Sequence, residues 1–225
     1  MTTGSDEPSA VFHPGALNER PGLAKYVNTV ISTWAWIDCT FINLASNFLK
    51  SEHVAVASML ETIINPTTRY SAISALAEST LTVDEYDLYH ASKEAIFEGS
   101  GKEIRNKFTH HLWGYDARRD DTLLLLDPRH WTQSYAIDNA DRERRKKDRN
   151  APFSQTPLQR SDVFHKYRED ELISLANDAL DRQELANDLH FAFIPGHPAS
   201  RVLRQKLEAN PKIKVRLVKR KRKRS

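Results

Sequence analysis

Cysteine is nearly absent: Cys39 stands alone among 225 residues, which excludes an internal disulfide and any Cys-rich zinc site. A solitary thiol in an apolar stretch is expected to be buried and reduced, as suits the cytoplasm. Nowhere do 18 apolar residues follow one another, so no membrane-spanning helix is expected. The opening "MTTGSDEPSAVFHPG" lacks a basic start and an apolar core, so no secretory signal is read there. Glycine is scarce as well, with seven residues, and few stretches alternate apolar with polar positions. That combination points to a mostly helical protein. No spacing of His, Cys, Asp or Glu matches a metal site, and no cofactor is expected.

What is present is charge, unevenly placed. The net charge of +3 conceals a basic end: "KIKVRLVKRKRKRS" from Lys212 onward carries nine Lys/Arg and no acid, leaving 24 basic against 30 acidic residues before it. Such an arm is expected to be disordered alone and to seek polyanions, through Lys219, Arg220, Lys221, Arg222, Lys223 and Arg224.

Between the ends the chain reads as helices. Leu23, Val27, Val30, Trp34, Ile37, Phe41, Leu44 and Phe48 recur at three- and four-residue spacing, the stripe of a long first helix. Asp38 lies in that stripe, most simply as a paired carboxylate at its rim, and Trp34 and Trp36 read as core or interface residues. Ser51 can cap a second helix, which Asn65-Pro66 ends, and residues 68–79 give a third. Thr82 with Glu85, and Ser100 with Glu103, are capping boxes for a fourth helix over 83–98 and a fifth from Gly101, with Gly99 closing the fourth. "TLLLLDP" predicts a short extended segment, residues 139–160 a charged linker, and Val163 to Phe191 a last helix. The expected organisation is an irregular leader over 1–21, a helical domain over 22–192 and the basic arm over 193–225.

The fifth helix carries "RNKFTHHLWG". At about 100° per residue, Ile104, Phe108 and Leu112 form an apolar stripe with His111 at its edge. Asn106, His110 and Trp113 fall opposite, and Arg105 lies at the border. A large indole on a wet face is unusual, so that second side is expected to be covered by a neighbouring helix or by another subunit. Covered polar groups need partners, which would bring Arg105, Asn106 and His110 together.

Arg105, Asn106 and His110 in the spacing Arg-Asn-x-x-x-His resemble the signature of the HEPN superfamily of helical domains. The likeness extends over about Leu23 to Phe191 and is closest to uncharacterised bacterial HEPN-like proteins reading Arg-Asn-x-x-x-His-Gly-Leu-Trp-Gly, with His111 standing where those have Gly. The resemblance implies an all-α HEPN-like bundle, paired as a homodimer through the motif helix. It also implies a metal-independent endoribonuclease, in defence or a toxin-like stress response with an antitoxin partner. Its catalytic residues would be Arg105 as phosphate clamp, His110 as proton carrier and Asn106 as positioning group. An inert HEPN-like module, serving dimerisation or the binding of a nucleotide or partner protein, is the other reading. His111 in place of Gly leans toward it.

Overall fold

The computed structural model describes residues 9–99, 101–159 and 161–224, without the side chains of 159, 161, 221, 223 and 224. The Ser100 capping box therefore lies outside the described residues. Among the described residues, nine helices account for most of the chain: α1 (Pro21–Leu49), α2 (His53–Glu61), α3 (Pro66–Thr80), α4 (Val83–Phe97), α5 (Gly101–His110), α6 (Pro128–Lys147), α7 (Glu169–Ala192), α8 (Ser200–Ala209) and α9 (Pro211–Arg224). The protein is mainly α but not all-α. Strands β1 (Ala10–Phe12), β2 (Leu112–Asp116), β3 (Thr122–Leu126) and β4 (Phe164–Arg168) form an antiparallel sheet in the order β1-β2-β3-β4. The chain divides into two compact units, Met1–Ile31 with Glu103–Ala176, and Ser32–Lys102 with Asn177–Ser225.

In the first unit the leucine run is the central strand. Thr122 to Leu126 are all buried, as expected of a strand with neighbours on both edges and no polar face. Gly114 is required where β1 pairs with β2, because a Cβ there would meet the Val11 carbonyl oxygen at 2.6 Å. The buried Asp116 ties the sheet's end together. Its carboxylate accepts the amides of Arg118 at 3.0 Å and Ser9 at 3.2 Å. The leader is thus not wholly irregular: it supplies β1 and a 3-10 turn over Ala16–Glu19.

The expected charged linker is helical as far as Lys147. Asp127 caps α6 by accepting the Arg129 amide at 2.9 Å, Pro128 takes the first helical position, and four basic residues sit in the last turn, where the helix dipole favours them. From within α6, buried Asp141 gathers Arg144 and the Ser154 amide and so fixes the irregular stretch after the helix. The stretch from Phe164 pairs with β3 as β4, so α7 starts at Glu169 rather than Val163.

The second unit is helical. Trp34, Ile37, Phe41, Leu44 and Phe48 are buried as the stripe predicted. Phe41, Tyr70 and Phe97 form an aromatic cluster with centroids 4.6–5.3 Å apart. Asp38 accepts a hydrogen bond from the Tyr70 hydroxyl. Trp36 is 63% exposed, and Cys39, expected to be buried, is exposed too, because it lies off the stripe. Asn65 does not end α2, which stops at Glu61. It caps α3 instead, accepting the Thr67 amide at 2.8 Å.

The basic end is not a disordered arm as far as it is described. Asn210 and Pro211 start α9, whose Ile213 is fully buried. Arg216 pairs with Glu98 at 2.6 Å and Arg220 with buried Asp87 at 2.9 Å, so acidic groups on α4 and just past its end supply the counter-charge that orders the helix.

Candidate functional site

The motif residues sit on α5, which Phe108 fixes to the sheet. That ring is buried, edge-on to Trp113 at 5.0 Å and to Tyr167 at 5.3 Å. Arg105 is half-buried and its Nη1 donates to Asn106 Oδ1 at 3.1 Å. Asn106 and His110 are exposed and one turn apart, hence on one side of the helix. Thr109 lies exposed among them and hydrogen-bonds the Arg105 carbonyl at 3.1 Å. Arg105 and Asn106 are thus brought together, and His110 shares the Asn106 side.

Trp113 is not where the helical wheel puts it. α5 ends at His110, and Leu112 and Trp113 pair with Leu126 and Leu125 in β2. The indole N–H donates to the Phe108 carbonyl at 3.0 Å. The extended partner β3 captures these residues, and the sequence period around Trp113 carries no sign of it. With the indole gone from the motif side, the need to cover that side falls away.

His111 turns from the motif side into a cavity of about 560 Å³. His130 and His165 line it with Lys107, Asp127 and Arg129, and none of Arg105, Asn106 or His110 does. Burial pushes the His111 imidazole below its ordinary range. Asp127 opposes this, while His165, Lys107 and Arg129 add to it. Hydrogen bonds from the Arg129 side chain, at 3.0 Å from Nε to Oδ2, and from its amide hold the Asp127 carboxyl far below the usual carboxylate range. The Nδ1 atoms of His111 and His130 are buried without a hydrogen-bond partner among the described residues. Among the same residues, no group of three or more His, Cys, Asp or Glu is placed to hold a metal ion.

His130, His165 and Asp127 were not legible as site residues, since they are scattered over separate segments. Only the Asp-Pro at 127–128 stood out, and it was read as the end of the extended segment rather than as the start of α6. In the basic end, Lys219 and Arg222 are exposed, Arg220 is held by Asp87, and the side chains of Lys221, Lys223 and Arg224 lie outside the described ones. No described helix is long and apolar enough to cross a membrane. Comparison with known proteins adds no neighbour, since no family profile, curated protein or solved structure matches the chain.

Proposed function

We propose that the chain is a HEPN-type endoribonuclease that cleaves RNA without a metal ion, at a site built on α5 and completed by a second copy. The observation that carries this reading is the pairing of Arg105 with Asn106, one turn from an exposed His110 at the end of the same helix. RNA brings its own nucleophile, the 2′-hydroxyl next to the phosphate. The 2′-oxygen bonds to phosphorus and the bond to the 5′-oxygen breaks, leaving a 2′,3′-cyclic phosphate and a free 5′-hydroxyl. Neutral His110 takes the 2′-proton, and the protonated His110 of the second copy gives one to the leaving oxygen. Arg105 pairs with the phosphate oxygens as charge builds on them, and Asn106 holds the guanidinium in position. One chain offers one such histidine on the motif side, which is why a homodimer belongs to the proposal. An antitoxin-like protein would act by covering the exposed Asn106 and His110. Lys219 and Arg222 would add contacts to RNA backbone.

The test is RNA cleavage by purified protein in EDTA, with the ends identified. Cyclic-phosphate ends are expected, with a loss of at least ~10²-fold for His110→Ala and for Arg105→Ala. A folded protein that leaves RNA intact would overturn the reading in favour of an inert HEPN-like binding module.

A further inference from the structure

The cavity behind the motif helix holds three imidazoles that the proposed cleavage does not use. Around them the fixed charges cancel: Lys107 and Arg129 stand against Asp127 and Asp162, which also lines the cavity. Those fixed charges are also partly taken up by one another and by neighbours. Asp127 is held by Arg129, and Lys107 pairs with the exposed Glu103 at 3.0 Å. The charge of the space is therefore decided by His111, His130 and His165, from about zero when all are neutral to strongly positive when they are protonated.

Three further features favour a negative guest. The cavity opens at the start of α6, a 20-residue helix whose first turn contributes Arg129 and His130, and a helix N-terminus carries partial positive charge. The buried Nδ1 atoms of His111 and His130 have no partner among the described residues, and in the imidazolium form each becomes a donor. Lys107 and Arg129 retain N–H groups beyond those their carboxylate partners take. Metal binding is the obvious competing use of three histidines, but no group placed to hold a metal exists among the described residues.

We propose that this cavity is a binding site for a tetrahedral oxyanion, the phosphate of a free ion or of a nucleotide, bound with uptake of protons by His111, His130 and His165. The proposal stands apart from the ribonuclease reading, because it uses none of Arg105, Asn106 or His110. It also gives His111 a role, since its side chain lines this cavity rather than the motif side. Binding is tight when the imidazoles are charged and weak when they are neutral. At His111, the protonation that burial opposes is restored by the guest.

Sulfate is the first probe, since it keeps one charge state across the range in which histidine titrates. Calorimetric titration of the full chain with sulfate at pH 5.5 and pH 8 is expected to show at least a tenfold loss of affinity at the higher pH. NMR at pH 5.5 should show saturable shifts confined to three of the nine histidine Cε1–H signals. His165→Gln and Arg129→Gln alter exposed side chains, so they leave folding intact and should each weaken binding at pH 5.5 by fivefold or more. Competition then identifies the source: a 5′-mononucleotide that displaces sulfate better than inorganic phosphate points to a nucleotide, and equal displacement points to the free ion. Sulfate affinity that ignores pH, or equal small shifts at all nine histidines, would overturn the proposal. RNA cleavage bears on neither outcome.

Discussion

Arg182 shows at the residue scale how a charge becomes a structural part. It projects from α7, is buried, and its Nη1 donates to the carbonyls of Ile96 and Glu98 at 2.6 Å each, while Asp178 accepts from Nε at 2.7 Å. Those carbonyls end α4, where the helix has no internal donor left to offer them, and Gly99 turns the chain away in the left-handed region at φ 74°. Arg182→Leu keeps the aliphatic packing and strands two carbonyls, so it should cost about 3 kcal/mol. Equilibrium urea unfolding beside the exposed Arg201→Leu checks it. A loss below about 1 kcal/mol would mean that water satisfies those carbonyls. Gly114→Ala is the second prediction at this scale. Its Cβ would push 2.6 Å from the Val11 carbonyl, so β1 should separate from β2, with faster amide exchange at Val11 and little change in the β3–β4 pairing.

At the element scale, the first five helices and the leucine strand β3 were legible, while β1, β2, β4, α6 and α9 were not. The α1 stripe stands in the sequence at its true period, and Thr82 with Glu85 forms the capping box expected of it, the Thr82 amide donating to Glu85 at 3.1 Å. The starts of α6 and α9 escape a reading of the sequence, and that of α3 is read two residues late, for one chemical reason. Asn65-Pro66, Asp127-Pro128 and Asn210-Pro211 each place a capping side chain before a proline at the first helical position. Proline ends the segment on its N-terminal side, and the same dipeptide starts the helix on its C-terminal side. In the candidate site, the nearness of Arg105, Asn106 and His110 was legible because they share α5. The histidine cavity was not, because His111, His130 and His165 meet only once β2, β3 and β4 have paired.

The last helix obeys the same logic of local start and distant support. An isolated 14-residue segment with so many like charges would not hold a helix, so α9 depends on Ile213, on Asp87 of α4 and on Glu98 just past it. Ile213→Asp should detach it, and limited trypsin digestion should then clip after Lys214 and Arg216 at a rate at least tenfold that of the parent chain. The rest of the protein should survive the digestion. Equal rates would mean that α9 is already open in the parent.

At the scale of the whole molecule, pH is the variable that reads both units at once. His111 in the sheet-bearing unit, and His90 and His190 in the helical one, are each pushed below the ordinary histidine range, with burial the main cause in all three. For His90 the nearby Arg220 adds to the effect and Glu94 opposes it, while His53 and His197 add to it at His190. The folded chain therefore resists the proton more than the unfolded chain does. The stability from all three is complete above the unfolded value of about 6.5 and is lost as pH falls below it. The carboxylates that hydrogen bonding depresses, Asp141 by the Ser154 amide first and Asp127 by Arg129, contribute in a separate and more acid window. The urea midpoint should accordingly hold above about pH 6.5 and fall from there to about pH 5.5, before those carboxylates titrate. His90→Gln, His111→Gln and His190→Gln should each flatten the slope, and the triple variant should remove most of it. Sulfate should restore the share of His111 alone, because an anion bound in its cavity stabilises the charged imidazole and so the fold that holds it. A midpoint that rises on acidification would mean that these imidazoles gain partners on folding rather than lose water, and would reverse the account of all three.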